Sequence, residues 1–290
     1  MGTKKPQVVN IALTGVELAF GHALEKALIG AGHRVFGLPV PSPARRSAAE
    51  AVFAVGDVDA LVLLDWDPLQ VTEPRDQVKQ SGVSRDWLHL ALQSGCRQVV
   101  GIGSHLEFGA QKERCLEDTR CRPFSAFGFG LHLTHGIGFA EAERFDARFS
   151  WARLFPLLTP GAAEWSLLRR IERQLMGGHT VRLDACQERI DALGIADALS
   201  GLVAIIERGQ SEAYNVCRGT TFSLKQLLEQ LSAFVGRPDQ LVFDLQQPER
   251  LPLSACTDTS NDRLRALGWC PSQEEPPELR QWWIGPPLAA

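Results

Sequence analysis

Residues 7–29 read QVVNIALTGVELAFGHALEKALI, and the change of period inside them decides the fold. Residues 7–13 form a short β-branched, apolar run, which reads as a buried strand. Thr14-Gly15 interrupts it. From Ala19 onward, apolar residues recur at 20, 24, 27 and 28, the spacing of one helix face. A strand, a tight turn and a helix therefore open the chain. GAGHRVFGLPV (30–40) supplies a break and a second strand at 34–38, and DALVLLDW (59–66) a third, buried strand at 60–65. SRDWLHLALQS predicts a helix over 84–94, RQVVGIGS (97–104) a fourth strand, and 126–145 a helix leading to a fifth strand, FSWARLF (149–155). Strands alternating with helices predict a parallel sheet with crossover helices on both faces, a doubly wound α/β fold.

Beyond residue 156 the pattern loosens. PLLTPGAAEWSLLRRIERQLMGG reads as a turn and a helix, IADALSGLVAIIERG as a helix, AYNVC as a strand and SLKQLLEQLSAFVG as another helix. The expected organisation is a dinucleotide-binding-type domain over 1–155 and a smaller α+β cap over 156–290, interleaved with the first. The tail from 271 is rich in proline and is expected to be loosely held, with Trp282 and Trp283 available to pin it.

Composition removes several function classes. Thirty Lys and Arg are scattered among 34 Asp and Glu, for a net charge of −4, so no basic stripe points to a nucleic acid. No apolar run reaches the roughly 18 residues of a membrane span, and the basic N-terminus is not followed by a signal-peptide core. A cytoplasmic protein is expected. The seven cysteines are odd in number, dispersed and free of any C-x-x-C, so neither a disulfide framework nor a metal site is expected. They read as small buried hydrophobes or idle thiols, with a Cys115/Cys121 redox pair as the minor alternative.

Six segments carry a resemblance: TGVELAFG (14–21), VVGIGSHLEFG (99–109), FSAFGFGL (124–131), RLFPLLTPG (153–161), AYNVCRGTTFSLKQL (213–227) and SNDRLRALGWCP (260–271). In this order and spacing the chain resembles the extended short-chain dehydrogenase/reductase family, the NAD-dependent epimerases and dehydratases of nucleotide sugars. The resemblance implies a Rossmann-like doubly wound parallel sheet with a C-terminal substrate-binding cap, and NAD or NADP as cofactor.

Residue by residue, the resemblance also marks losses. The family's loop is T-G-x-x-G-x-x-G. Here Thr14, Gly15 and Gly21 hold their places, but Leu18 stands at the middle glycine, with Glu17 beside it. A branched side chain fills the pyrophosphate's approach and a carboxylate faces a dianion. Gly15 and Gly21 equally serve to preserve only the turn and the packing. The acidic residue that would hold the adenosine ribose falls at about Pro39, and Arg45 and Arg46 follow as candidates for a 2′-phosphate or as a solvated pair. Cofactor binding is accordingly expected to be weak or lost.

For catalysis the family uses a Ser or Thr after the fourth strand and Tyr-x-x-x-Lys one segment later. Ser104 keeps the hydroxyl; 23 residues on, Phe127 stands at the Tyr place and Leu131 at the Lys place. Acid–base function worth about 10²–10⁴-fold in rate is thereby removed. Tyr214, the chain's one tyrosine, lies in another segment. His132 would lie about 140° around the helix from Phe127, and His135 about 12 Å along it, so neither replaces the phenol. His105 and Glu107 beside Ser104 are the better substitutes, His105 first. Arg189, then Arg263, are the candidates for a sugar-nucleotide diphosphate, with ion pairing as the alternative. The expected function is a non-catalytic or altered binder of a nucleotide sugar or dinucleotide. The alternatives are an active epimerase, dehydratase or reductase using His105, and a scaffold that binds no ligand. The resemblance implies a homodimer.

Overall fold

The computed structural model describes residues 9–55, 57–69, 77–111, 113–158, 167–184, 186, 189–244 and 258–272. The opening run becomes β1 (Asn10–Leu13) and α1 (Ala19–Gly30), followed by β2 (Arg34–Gly37), α2 (Arg46–Ala54), β3 (Ala60–Leu63) and α3 (Gln77–Gln93). Next come β4 (Gln98–Ser104), α4 (Ala126–Arg144) and β5 (Arg148–Leu154). The remainder runs β6 (Leu157–Leu158), α5 (Leu167–Met176), β7 (Val181–Leu183), β8 (Arg189–Ile190), β9 (Leu193–Gly194) and α6 (Ile195–Arg208), then β10 (Ala213–Val216), β11 (Phe222–Ser223), α7 (Leu224–Phe234), β12 (Leu241–Phe243) and α8 (Asp262–Ala266).

Six strands form one sheet in the order β2-β1-β3-β4-β5-β10, with every pairing parallel. Successive side chains of a strand point to opposite faces, and the core divides accordingly. Ile11 and Leu13 pack with Phe20, Leu24 and Leu28 of α1 and Leu202 and Ile205 of α6. Ala12 and Leu61 pack on the other side with Phe53 of α2, Trp87 and Leu88 of α3, and Phe127 and Leu131 of α4. Helices thus cover both faces of a doubly wound sheet.

Helix α2 was not read from the sequence, and two other features depart from or extend that reading. Helix α3 begins at Gln77 rather than 84, because its first two turns bury polar residues. Ser84 Oγ and Gln77 Nε2 donate to the buried Asp65 carboxylate at 2.5 and 3.4 Å. An apolar-periodicity reading does not detect such a face. The strand at 213–216 lies beside β5 at the sheet edge, so the chain beyond 156 supplies an edge strand and α6 to the main sheet. It also forms three two-stranded pairs, β6–β9, β8–β11 and β7–β12, and a separate apolar cluster around Ile171, Leu175, Leu228 and Leu231. Cys256, Trp282 and Trp283 lie outside the described residues. Among those described, no helix is long and apolar enough to cross a membrane.

Candidate functional site

The turn after β1 is built as the glycines require. Gly15 has φ +74°, the left-handed region that glycine enters without a Cβ penalty. A Cβ on Gly21 would lie 1.9 Å from Gly15 O, so the first turn of α1 rests directly on the loop backbone. Thr14 is buried; its Oγ1 donates to Leu64 O at 2.9 Å and accepts from Leu64 N at 2.8 Å, locking β1 to β3. Leu18 precedes α1 and packs partly buried on the sheet's core. The Glu17 carboxylate accepts from Val40 N at 3.0 and 3.1 Å and from Arg45 at 2.5 Å. It therefore bridges the first loop to the end of the second strand, next to Pro39. Arg45 is tied to this bridge, and Arg46 pairs with Glu50 on its own helix at 2.8 Å.

At the end of β4, Ser104 caps a short 3₁₀ turn. Its Oγ accepts from Leu106 N at 3.3 Å, and the Glu107 carboxylate accepts from Ser104 N at 3.0 Å, a reciprocal capping box. His105 is buried with its ring against Phe155. Its Nδ1 lies 3.3 Å from Leu154 O and 3.4 Å from Ser104 Oγ. Burial lowers its pKa to about 4, so the imidazole is neutral at pH 7.

Glu107 is fully buried. Trp151 Nε1 donates to both its oxygens at 2.9 and 3.1 Å, and Arg153 Nε to Oε2 at 3.3 Å. Burial raises the carboxyl's pKa, while Arg153, the Trp151 indole and Ser104 N pull it down. Room for Trp151 comes from Gly103, where a Cβ would sit 2.3 Å from Glu107 Oε1 and 2.5 Å from the indole.

Ser125 caps α4, accepting from Gly128 N at 3.0 Å. Phe127 is 9% exposed, set edge-on to Trp66 at 5.1 Å between centroids, and Leu131 is 0% exposed. Both belong to the cluster formed with α2 and α3. The same helix brings His132 and His135 near Glu107 Oε2, with Nδ1 atoms at 3.9 and 3.7 Å. His135 stacks on Trp151 at 5.1 Å, and its Nδ1 lies 3.4 Å from Arg153 Nη2. Burial first, then the Arg153 charge, pushes its pKa down to about 2, so its neutral Nδ1 accepts from the guanidinium.

A cavity of about 600 Å³ adjoins this network, lined by residues that include Cys121, His132, His135, Arg153 and Arg263. Arg263 donates to Ala213 O at 3.2 Å and pairs with Glu212 at 3.5 Å and Asp118 at 3.7 Å. Arg189 stands on β8 and is held by Thr221, through Nε to Oγ1 at 2.9 Å and through Nη2 to the carbonyl. Tyr214 is buried on β10, donating to Glu212 at 2.8 Å and accepting from Gln210 N at 2.7 Å.

The structure thus brings Ser104, His105 and Glu107 together at one strand end, sets Phe127 and Leu131 into an apolar core, and puts Arg263 on the neighbouring cavity. Trp151, Arg153 and Cys121 are the polar participants that sequence reasoning missed. For Arg153 a signal existed, since a charge inside FSWARLF, a run otherwise suited to burial, demands a buried partner. Cys115 and Cys121 lie beside Phe108 and Phe155. Burial pushes the Cys121 thiol up to about 11.

A dinucleotide fits this frame at one end only. The Gly15–Gly21 turn and the α1 N-terminus suit a pyrophosphate, with Leu18 and the Glu17 bridge beside it. At the end of β4 the groups described are the Ser104 hydroxyl and the buried His105 and Glu107, with Phe127 and Leu131 buried in the apolar cluster.

The family model described as NAD dependent epimerase/dehydratase family matches residues 11–217. Similar solved structures include the UDP-glucose 4-epimerase of Thermotoga maritima with UDP-glucose, at 17% identity and TM-score 0.79, covering 94% of this chain and 97% of that one. The dTDP-glucose 4,6-dehydratase of Bacillus anthracis in complex with NAD is similar at 14% identity and TM-score 0.79, covering 95% and 96%. The Bordetella bronchiseptica enzyme WbmG in complex with NAD and UDP is similar at 15% identity and TM-score 0.75, covering 97% and 96%. At these identities the likeness establishes the fold. No curated protein matches the chain by sequence.

Proposed function

The chain belongs to the NAD dependent epimerase/dehydratase family, and from that premise we propose that it is a degenerate member, binding a nucleotide sugar or dinucleotide without performing hydride chemistry. The observation that carries this reading is the burial of Phe127 and Leu131 in the apolar cluster of α2 and α3. A bound nicotinamide supplies hydride transfer, but the protein must move a proton in step with it. Neither a phenyl ring nor an isobutyl group does so. The Glu17 bridge to Val40 and Arg45 supports weakened binding of the adenosine half.

The active-enzyme alternative draws on the 3.4 Å approach of His105 Nδ1 to Ser104 Oγ. A neutral imidazole buried against Phe155 is a poor proton donor at pH 7, which is why the non-catalytic reading is preferred. In the proposed arrangement the division at 155/156 separates a dinucleotide-type domain from a substrate-binding cap. Arg263, on the cavity, and Arg189 are the residues assigned to a diphosphate. The protein acts in the cytoplasm as a homodimer.

A thermal-shift screen against NAD, NADP and UDP-, GDP- and dTDP-sugars tests the reading. A ligand at about 100 times its dissociation constant adds roughly 2.7 kcal/mol of stability. The expected result is a shift with at least one of them and no NAD(P)H turnover with any. Robust turnover that His105→Ala abolishes would establish the alternative, and the absence of any shift would leave a scaffold.

A further inference from the structure

We infer that Glu107, Cys121 and His132 form a binding site for a zinc-class divalent cation, with its fourth coordination position open to the cavity beside α4. The inference begins from donor chemistry. One carboxylate, one thiol and one imidazole come from the turn after β4, the segment before α4 and α4 itself, and their ligand atoms all lie within 4.8 Å of one another. This mixture of oxygen, sulfur and nitrogen suits zinc, which binds such atoms at about 2.0–2.3 Å in a tetrahedron. Neighbouring ligand atoms in that tetrahedron lie about 3.4 Å apart. The His132 to Glu107 separation of 3.9 Å is already close to this, and His132 is half-exposed and free to adjust.

The surroundings match what a metal requires. The Glu107 carboxylate is held by Trp151 Nε1, Arg153 Nε and Ser104 N, as carboxylates that bind metals are held by donors behind them. His132 Nδ1 is buried without a hydrogen-bond partner, a costly state for a nitrogen that a metal would use. The neighbouring histidine does not compete, because the Nδ1 of His135 accepts from Arg153. Cys121 Sγ lies 3.9 Å from Thr119 O, a long hydrogen bond. A dication with a thiolate and a carboxylate is formally neutral, leaving Arg153 as the donor behind Glu107.

Three protein ligands and a fourth position facing an open cavity is the pattern of zinc sites that accept water or substrate. His132 follows Leu131 and lies about 100° around the helix from it. Because the ligands come from three elements, no linear motif announces them, which is why the cysteine pattern led to an expectation of no metal.

Cobalt(II) titration of the chelator-treated full chain tests the site. The expected result is one equivalent bound, with tetrahedral visible bands and a thiolate-to-cobalt charge-transfer band, both displaced by zinc. Cys121→Ser should abolish the charge-transfer band. It and His132→Ala should each weaken binding by more than the roughly 10–100-fold lost when a group hydrogen-bonded to a ligand is removed. The exposed Cys270, changed to Ser, should leave spectrum and affinity unchanged. Far-UV circular dichroism of each variant secures that it is folded, and the readout needs no nucleotide. A wild-type chain without the cobalt spectrum, or a folded Cys121→Ser chain with an unaltered one, would overturn the proposal.

Discussion

Asp65 is the residue at which the cost of burial is easiest to measure. Its carboxyl lies at the end of β3, and burial raises its pKa to about 6 although Ser84 and Gln77 donate to it. The folded state therefore holds this proton more tightly than the unfolded chain, whose value is near 3.8. Stability from this group is fully present below pH 3.8 and is lost as pH rises through 6. The two-unit difference corresponds to about 3 kcal/mol. Asp65→Asn keeps the shape and cannot ionise, so urea unfolding of both proteins between pH 4 and 7.5 should show the wild type losing about that much relative to the variant. Parallel curves would mean that Asp65 titrates normally. That Phe127 and Leu131 are apolar was legible at this scale because it is visible in the letters. The setting of Asp65 was not, since its partners lie on a helix whose polar start hides its period.

Helix α4 shows what an element conceals. Its start was legible, with the sequence placing a helix over 126–145, and the structure begins it at Ala126. Which residues face which neighbour was not, because both sides are covered. Phe127 and Leu131 enter the α2–α3 cluster, while His132 and His135 meet Glu107 and Trp151. If position 131 is core, a lysine placed there must be poorly tolerated. Leu131→Lys should lose roughly 3 kcal/mol or more, the scale of an uncompensated buried charge, while Leu131→Met should lose less than about 1.5 kcal/mol. Chemical denaturation of the pair decides it. A well-tolerated lysine would show that position 131 still opens onto a crevice, and the argument from its burial would fall.

Across the whole molecule, the reach of the sequence followed the length of its elements. Over residues 7–155 the strands and the helices after β1, before β4 and before β5 were long enough for a period to be counted, so the doubly wound sheet was legible there although α2 was not read. Beyond that point β6, β8, β9 and β11 are two residues long, too short to show any alternation. The polar network was hidden for a different reason: Glu107, Trp151, Arg153 and the two histidines meet only after β4, β5 and α4 have packed. The same division appears in the core. Leu24 and Leu228 are both fully buried, but Leu24 packs in the sheet cluster with α6 and Leu228 in the smaller cluster of α5 and α7. Removing a buried leucine side chain costs about 2–5 kcal/mol, and a loss confined to one packed unit lowers the opening energy of that unit alone. Leu228→Ala should therefore speed amide exchange in α5 and α7 while leaving α1 and the β1–β3 ladder at wild-type protection. Leu24→Ala should expose the ladder as well. Uniform acceleration through both units in Leu228→Ala would make the two clusters one cooperative core.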